Sequence, residues 1–427
     1  MNKRLEFFQF VIPSIIAFAL SGVYAIVDGF FLGNTMGDAG LSAINIAYPI
    51  EAALQAVGTG IGMGGAVHYS IYTARNEEEE AKEYVAVGWW LLIVSSVILT
   101  LVIFLFGEDM LIVLGAHNAI LAYATEYIRI LAFGAVFQIL GTGLVPLIRN
   151  YGGSVCAMAA MMSGFITNIV LDFLLVWVVH WGMKGAAVAT FTGQAVTMLI
   201  AVGYALWKKK FFLRLSKKYV VRACVNIFKI GIAPFGLALT PNISLVLVNR
   251  FSALYGGDQA IATYACISYI ICIVYLILQG VGDGSQPLMS KYYGEGNAIG
   301  LKKIQKMAYF FAIFLAIIGT FVMFLTRTYI GTLFGSSTQV NTSIAKIMPI
   351  FLISVPFVAI TRIATATFYA TEKSILSYIL TFIEPVLMLI FMLILPHFGG
   401  QVMIWWSTVL ARMIAAVLAL CATRWHT

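Results

Sequence analysis

The sequence predicts an all-α polytopic membrane protein with twelve transmembrane helices, arranged as two six-helix bundles related by a pseudo-twofold axis along the membrane normal. Of its 427 residues, 61% are hydrophobic and only 10% are charged, whereas a soluble domain carries about 25% charged residues. Apolar runs long enough to cross a bilayer recur along the chain, and its two halves repeat each other. A soluble enzyme and a disordered chain are therefore excluded.

Twelve apolar runs mark the candidate spans, because a helix needs about 20 apolar residues to cross the hydrocarbon core. Helices are expected because lipid offers no partner for free backbone groups. The first run carries Asp28 and is too long for a signal peptide. The spans are 10–33, 41–72, 84–106, 119–148, 155–179, 184–207, 225–254, 259–290, 307–334, 340–370, 375–396 and 401–423.

A shift of 220 residues superposes the two halves of the sequence. Gly37 then meets Gly257, Gly115 meets Gly335, and Gly60, Gly62 and Gly64 meet Gly280, Gly282 and Gly284. Each half holds six spans, so both halves face the same way, which predicts a parallel repeat and alternating access between the halves.

The repeat also predicts the domain organisation. We expect an N-terminal lobe at 1–207, a basic cytoplasmic linker at 208–222 and a C-terminal lobe at 223–427. The linker either lies on the inner leaflet as an amphipathic segment or serves only as a basic anchor.

Loop charge predicts the orientation. Nearly all loop lysines and arginines fall on the side of the two termini, and the opposite side offers only Lys184 and Arg327. This predicts a bacterial cytoplasmic (inner) membrane protein with both termini in the cytoplasm. The net charge of +8 is thereby explained by contact with membrane lipids and needs no nucleic-acid partner. The five cysteines form no metal-binding or redox motif, so we expect them in the core.

Ionisable residues inside spans are costly and indicate function. Counting about 1.5 Å per residue, Asp28, Asp172 and Thr190 lie at one depth in the outer half of the first bundle, and Asn168 shares a helical face with Asp172. Two carboxylates, an amide and a hydroxyl would bind Na⁺ or share a proton. The alternative is that they are hydrogen-bonded structural residues. Because the second half repeats neither carboxylate, coupling to H⁺ or Na⁺ is expected in the first half alone.

A second group of residues is predicted to line a substrate cavity: Tyr24, Glu51, Gln55, Met158, Met161, Met162, Phe165 and Glu384. A buried carboxylate suits a cationic ligand, and methionine adapts to varied shapes. Core packing is the alternative for the methionines, helix packing for Glu51, and a salt bridge with Arg362 or Arg412 for Glu384.

Three further features concern helix geometry. The run Gly60 to Gly65 fits a dinucleotide-binding pattern, but it lies in an apolar helix, so close helix packing is expected instead. Pro13 is expected to bend the span that carries Asp28. Asp283 falls near the inner end of its span, where we expect it to stabilise a loop.

The chain resembles the multidrug and toxic compound extrusion family, in its bacterial MepA-like and DinF-like branch. The matching segments are Val27-Asp28 with Gly33-Asn34, Asn168 to Asp172, Gly185 to Thr190, Tyr255 to Asp258 and Gln279 to Pro287. The resemblance implies an antiporter with a cation site at Asp28, Asn168, Asp172 and Thr190, and a responsive proline at Pro13. Many relatives have an arginine in place of Glu384 and a proline in place of Phe173.

The leading hypothesis is therefore a secondary antiporter that exports small amphipathic, often cationic organic compounds in exchange for H⁺ or Na⁺, without any other cofactor or metal. The alternative is a flippase or exporter of a lipid-linked saccharide or an endogenous metabolite. A membrane scaffold or receptor is a third possibility. No catalytic motif indicates an enzyme, and a two-lobed chain can work alone, so we expect a monomer.

Overall fold

A computed structural model describes residues 3–216, 219–333 and 337–426. The predicted linker residues Lys217 and Lys218, and the repeat position Gly335, lie outside these ranges. Within them the chain is almost entirely helical and contains no β-strand. The first half comprises α1 (Lys3–Ala74), α2 (Glu78–Val113), α3 (Asn118–Asn150), α4 (Ser154–Leu171) with a π-helical continuation (Asp172–Val178), and α5 (Gly182–Trp207).

The second half repeats this order. It comprises α6 (Val220–Tyr255), α7 (Gly257–Gly294), α8 (Ala298–Thr326), α9 (Ile330–Leu333), α10 (Thr338–Ile353), α11 (Val355–Ala370), α12 (Ser374–Ile394), α13 (Pro396–Gly399) and α14 (Gln401–His426). Successive spans alternate in direction, so Ala74, Asn150, Gly294 and Ala370 all lie at the end of the bundle where the chain begins and ends. We call this end the terminal end.

The number of spans agrees with the twelve-helix, two-bundle fold. Within the described ranges, ten helices are long and apolar enough to cross a membrane, and α10 with α11, bent by 41°, adds an eleventh. The twelfth is the second arm of α1, 38–74, which is less apolar because it carries Glu51, Gln55 and His68. Gly37, with φ 64°, separates this arm from the first arm, Lys3–Gly37.

Several helices differ from their predicted extent. The span predicted at 84–106 is in fact α2 (Glu78–Val113), longer at both ends, and the span predicted at 307–334 is α8 (Ala298–Thr326), which begins earlier but ends at Thr326. The predicted end of the second span falls beyond α8 because the apolar run continues into the separate short helix α9. Hydropathy locates the part of a helix inside lipid, whereas a helix continues into water as long as its backbone bonds continue. The span predicted at 340–370 breaks at Ser354, two residues before Pro356 in the first turn of α11, because proline has no N–H for the helical bond and its ring clashes with the carbonyl four residues earlier.

Backbone geometry follows the sequence repeat. Positive φ angles recur at the predicted offset of 220: 64° at Gly37 and 63° at Gly257, and 63° at Asn76 and 67° at Gly296. These positions end or begin equivalent helices in the two halves. The duplicated sequence thus folds twice into the same arrangement.

Each lobe has its own hydrophobic core, yet each core includes part of the other half's first helix. Phe7 and Val11, from the start of α1, pack in the core of the second lobe. Ala223 and Ile227, from the start of α6, pack in the core of the first lobe. The two lobes are therefore interlocked at the terminal end.

Glycines allow this close approach, as predicted for the Gly60 to Gly65 run. A Cβ atom at Gly60 would lie 2.9 Å from the carbonyl oxygen of Gly231, and one at Gly62 would lie 2.0 Å from that of Gly143. In the second half, a Cβ atom at Gly284 would lie 2.8 Å from the Cα atom of Val11. Side chains at these positions would separate the helices.

The linker packs against the first lobe. The Trp90 side chain donates a hydrogen bond to the Leu213 carbonyl at 3.0 Å, and Glu83 accepts one from the Ser216 amide at 3.0 Å. Phe211 packs edge-on against Trp89. These contacts tie residues 211–216 to the terminal end of α2.

Candidate functional site

The structure brings the predicted cation-coupling residues together in the first lobe. Asp28 lies on the first arm of α1, and Asp172 lies where α4 passes into its π-helical continuation. Their carboxyl groups face each other within hydrogen-bonding reach. π-helical turns widen a helix locally and occur often at functional sites, and here the turn begins at the carboxylate itself.

The amide and the hydroxyl complete this cluster. Asn168, one turn before Asp172, donates a hydrogen bond from Nδ2 to Oγ1 of Thr190 at 3.4 Å. The three side chains are almost wholly buried, with Asp172 only 1% exposed. We refer to Asp28, Asn168, Asp172 and Thr190 as the oxygen cluster.

Most oxygens of the oxygen cluster have no hydrogen-bond donor. Oδ1 of Asp28, both Oδ atoms of Asp172 and Oδ1 of Asn168 are buried and unpartnered among the described residues. Buried polar atoms are normally satisfied, because leaving one unpaired costs about 1–3 kcal/mol. Two facing carboxylates are also unfavourable unless a proton or a cation lies between them. The cluster thus provides acceptors for a positively charged ligand.

Glu51 adds a third carboxylate next to this cluster. The Tyr127 hydroxyl donates to its Oε2 at 3.2 Å, and the Gln138 amide donates to its backbone oxygen at 3.5 Å. Asp28 is close enough to influence it electrostatically. The described residues nevertheless contain no group of three acidic, histidine or cysteine side chains that would hold a metal ion, so Glu51 lies beside the cluster and does not complete it.

The other predicted cavity residues of the first lobe are placed differently. Tyr24 stacks on Phe165, with ring centroids 5.2 Å apart. Gln55 is exposed, and Met158 and Met162 are half-buried. Met161 packs against the hydrophobic core of the lobe, as its alternative interpretation supposed. Tyr24 and Phe165 therefore form an aromatic wall that adjoins the oxygen cluster.

Exposed side chains of both lobes indicate a cleft between the lobes, in the half of the molecule away from the terminal end. Tyr48 of the first lobe and Tyr269 of the second are 43% and 40% exposed, yet they are near enough to interact electrostatically. Cys272 of the second lobe also lies within electrostatic range of Tyr48, and it is exposed. The expectation of buried core cysteines is therefore wrong for Cys272 and also for Cys421, since neither has a motif that would have indicated its surface position.

Glu384 forms a salt bridge with Arg412, one of the two partners considered for it. Arg412 Nε donates to Glu384 Oε1 at 2.8 Å, and its Nη1 donates to Tyr275 Oη at 2.6 Å and Ser354 Oγ at 3.1 Å. The Glu384 side chain remains 23% exposed. Sequence reasoning missed Tyr275 and Ser354, because nothing in the sequence specifies how α7 and α10 are rotated.

Asp283 lies inside α7 and not in a loop, so the loop-stabilising role expected for it is wrong. Its Oδ1 accepts hydrogen bonds from Tyr369 Oη at 2.9 Å and Gln279 Nε2 at 2.7 Å, and its backbone oxygen accepts one from Arg149 at 3.3 Å. Arg149 belongs to the first lobe. Arg149 and Asp283 each lie in an apolar stretch, and nothing in the sequence of these stretches indicates that they meet between the lobes.

A second polar contact between the lobes lies beside the first. Asn150 donates from Nδ2 to Gln286 Oε1 at 2.9 Å, and Gln286 donates back to Asn150 Oδ1 at 3.2 Å. Ser290, the repeat partner of Ser70, accepts from Gln286 Nε2 at 2.9 Å. These contacts close the space between the lobes at the terminal end, while the cleft above them is open.

Pro13 lies in the first arm of α1, buried, and the helix continues through it. The only non-helical backbone angles inside the described part of α1 are at Gly37. Pro13 neighbours Ser14, which faces the Gly284 crossing. Its bending role stays a prediction.

Curated relatives align over almost the whole chain. The Multidrug export protein MepA of Staphylococcus saprophyticus is 25% identical over 415 residues, covering 96% of this chain and 91% of the relative. The protein of the same name from Staphylococcus haemolyticus is 26% identical over 421 residues with the same coverage. The similarity therefore extends through both lobes.

Solved structures share the fold. A structure described as MATE in complex with MaL6 matches with a TM-score of 0.93 at 20% identity, covering 100% of this chain and 96% of the other. A MOP superfamily transporter from Pyrococcus furiosus matches with a TM-score of 0.92 at 20% identity and the same coverage. An outward-facing multidrug resistance MATE family transporter matches at 0.90 and 21%. These likenesses confirm the predicted twelve-helix, two-bundle fold.

One family model matches the chain twice, at residues 13–174 and 235–394. The two matched segments lie in the two lobes and begin about one repeat length apart, as the internal duplication requires. Together they cover most of the sequence, including Asp28, Asn168 and Asp172. The chain therefore belongs to the MatE family of membrane transporters and is not an enzyme, as its sequence predicted.

Proposed function

We propose that this protein is a secondary antiporter that exports amphipathic, often cationic organic compounds in exchange for protons or sodium ions. The observation that carries the proposal is the oxygen cluster, whose buried acceptors lack donors in an apolar lobe. Relatives named multidrug export proteins supply the class of cargo. Ionisable groups within a membrane span are costly and mark functional sites by default.

The cluster suits either coupling ion through different atoms. A proton would be shared between the facing carboxyl groups of Asp28 and Asp172, which removes their mutual repulsion. A sodium ion would use hard oxygen ligands from the same carboxylates, the Asn168 amide and the Thr190 hydroxyl. In both cases the ion neutralises the site and lets the helices that carry it approach each other.

Ion binding is linked to cargo release because the cluster adjoins the cleft. Tyr24, one turn before Asp28, stacks on Phe165 of α4. A shift of the first arm of α1 against α4 on ion binding would disturb this aromatic wall. An ion that binds the cluster more tightly in one conformation biases the equilibrium between the two by that difference in affinity.

Location and assembly follow from charge and architecture. We propose that the protein lies in a bacterial cytoplasmic membrane with both termini inside, because basic loop residues concentrate at the terminal end. It would contact anionic lipids there and work as a monomer, since both walls of the cleft come from one chain. The boundaries 1–207, 208–222 and 223–427 stay a proposal, because each core takes in part of the other half.

Export of a lipid-linked saccharide is less well supported. A pyrophosphate needs several free basic groups in the cleft. Arg412 is bound to Glu384, and Arg129 pairs with Glu108 on an exposed surface. Arg362 has no ion-pair partner among the described residues, but a single guanidinium is too few for a pyrophosphate.

Flux in proteoliposomes tests the proposal. Vesicles loaded with a fluorescent organic cation would be given a proton gradient or a sodium gradient, with Asp172→Asn and the exposed Asp109→Asn as matched variants. We expect one gradient to drive flux in the parent protein and in Asp109→Asn. In Asp172→Asn the gradient-driven flux should fall at least 10-fold, because the amide can neither release a proton nor balance a cation.

Two other outcomes of the flux assay would contradict different parts of the proposal. Flux that follows neither gradient in the parent protein would contradict antiport of organic cations. Gradient-driven flux that persists unchanged in Asp172→Asn would show that coupling lies elsewhere, and Glu51 would then be the next carboxylate to neutralise.

A further inference from the structure

Arg362 is a charged residue of the second lobe that the proposed mechanism does not use. It lies on α11, eight residues before the helix ends at Ala370, which places it about 12 Å from the terminal end. The side chain is half-buried. A Cβ atom on Gly282 would lie 3.6 Å from the Arg362 carbonyl oxygen, so the Arg362 backbone is level with the contact that Asp283 makes between the lobes.

The guanidinium of Arg362 is left without a direct partner. The ion pairs of the described residues include Arg412–Glu384 and Arg149–Asp283, but none involves Arg362, and no hydrogen bond from it is found among those residues. Glu384 and Asp283 influence its charge only from a distance. Each of these carboxylates is already bound to another arginine. An arginine held at this depth without a carboxylate is costly and indicates a ligand.

The local charge is therefore positive. Three arginines, Arg149, Arg362 and Arg412, face two carboxylates, Asp283 and Glu384. Tyr275 adds a hydroxyl but no charge at neutral pH. The excess positive charge lies in apolar surroundings, where a single charge acts over a longer distance than in water.

The excess charge is reachable from the cleft. Cys272 on α7 is exposed and lies within electrostatic range of Arg362. Cys272 and Tyr269 both lie within electrostatic range of Tyr48 of the first lobe, and the two tyrosines are exposed. A molecule in the cleft would therefore meet aromatic rings and the Arg362 guanidinium together.

We propose that Arg362 binds an oxyanion group, such as a carboxylate, sulfonate or phosphate, on the compound that occupies the cleft. The planar guanidinium presents paired donors that match two oxygens of such a group. The inference rests on the proposed function, which it deepens by adding an anionic group to the cargo's chemistry. A compound that carries both charges would meet acidic residues on the first lobe and Arg362 on the second.

Protection of Cys272 from alkylation tests this binding without any ion gradient. The protein would carry Cys272 as its only cysteine, with Cys156, Cys224, Cys266 and Cys421 replaced by alanine, in phosphatidylcholine nanodiscs. The rate of reaction with N-ethylmaleimide would be measured with three probes of one ring system: 2-naphthoate, 2-naphthylmethanol and a 2-naphthylmethyl trimethylammonium salt.

We expect 2-naphthoate to protect Cys272 at a concentration at least 5-fold lower than the neutral alcohol. The preference should be kept in Arg362→Lys, lost in Arg362→Gln, and unchanged in Arg250→Gln, whose arginine is exposed on α6. Equal protection by the acid and the alcohol in the parent protein, together with no Arg362-dependent protection by an anionic lipid, would overturn the proposal, as would an undiminished preference in Arg362→Gln. If Arg362→Gln does not fold, the parent protein and Arg362→Lys still decide.

A second arm identifies the source of the oxyanion. Adding phosphatidylglycerol to the nanodiscs tests whether a lipid phosphate reaches Arg362. Arg362-dependent protection by this lipid, without protection by 2-naphthoate, supports the oxyanion site and assigns it to a lipid. If neither 2-naphthoate nor phosphatidylglycerol protects Cys272, the proposal is overturned. Loss of ion-driven flux in the antiport assay would leave these results standing, because they require no transport.

Discussion

At the level of single residues, the buried charged groups of the two lobes differ in whether their hydrogen bonds are satisfied. Arg412 has its donors engaged by Glu384, Tyr275 and Ser354. The carboxylates of the oxygen cluster, in contrast, face each other with their oxygens unpartnered among the described residues. A hydrogen-bond network in which every group is paired stabilises one structure, whereas unpaired buried acceptors are available to bind a ligand. The closed network therefore stabilises the second lobe, whereas the open cluster of the first lobe offers the acceptors that the proposed ion coupling requires.

Removing one member of the closed network tests its structural role. We expect Glu384→Gln to lower the free energy of unfolding in detergent by about 1–3 kcal/mol, below the 3–5 kcal/mol of a fully buried pair because Glu384 is partly exposed. Thermal unfolding of the purified protein measures the loss. Glu108→Gln breaks the exposed pair with Arg129 and should change stability by less than 1 kcal/mol. Equal effects of the two substitutions would argue against a structural role.

The oxygen cluster is the part of the site that sequence reasoning placed best. Helical spacing puts Asn168 and Asp172 on one face, and counting from the span ends put Asp28 and Thr190 at their depth. The partner of Glu51, Tyr127, and the choice of Arg412 over Arg362 for Glu384 were not determined. Those contacts depend on how each helix is rotated about its axis, and an apolar span surrounded by lipid has little amphipathic pattern to reveal it.

At the scale of helices, glycines determine which elements touch. Apolar runs predicted the existence and order of the spans, because hydropathy alone identifies them. The π-helical turn at Asp172 was not predicted, since a single widened turn leaves the 3.6-residue pattern nearly unchanged. The break at Ser354 was missed as well, although Pro356 was a signal for it. The glycine crossings were expected and are confirmed.

Two glycine-to-alanine substitutions compare a crossing with a free helix face. Gly62→Ala should destabilise the first lobe by at least 2 kcal/mol, because its methyl group would overlap the backbone of Gly143. Gly203→Ala, on an exposed face of α5 with nothing within 4 Å, should be neutral or stabilise the helix by about 0.5–1 kcal/mol. The two unfolding temperatures measure the difference. A neutral Gly62→Ala would mean that these helices are not in contact.

In the whole molecule the lobes contact each other at the terminal end, and exposed side chains indicate a cleft farther from that end. Arg149 and Asn150 of the first lobe contact Asp283 and Gln286 of the second, and the cleft lies above them. Alternating access by rocking of two rigid lobes requires these contacts to break in the other conformation. These polar contacts can be exchanged for water, but rocking must also release the apolar contacts that Phe7 and Val11 make with the second lobe.

Cross-linking these contacts tests whether the lobes must separate. In a background without native cysteines, Asn150→Cys with Gln286→Cys, joined by a short bis-methanethiosulfonate reagent, should stop export. A reducing agent should restore it. The exposed pair Gln259 and Ser343, hydrogen-bonded at 3.1 Å within the second lobe, provides the control: its cysteine pair should cross-link without effect. Undiminished export by the cross-linked 150–286 pair would contradict rocking about this contact.

The exchange of first helices between the cores has a consequence for biogenesis. The ribosome completes α5 before α6 exists, so the first six spans enter the membrane with the Ala223 and Ile227 positions of their core unfilled. The start of α1 likewise waits for the second lobe to receive Phe7 and Val11. Neither half can therefore complete its hydrophobic core without the other. Halves expressed separately from a chain cut within the linker should therefore be degraded singly and persist only when made together.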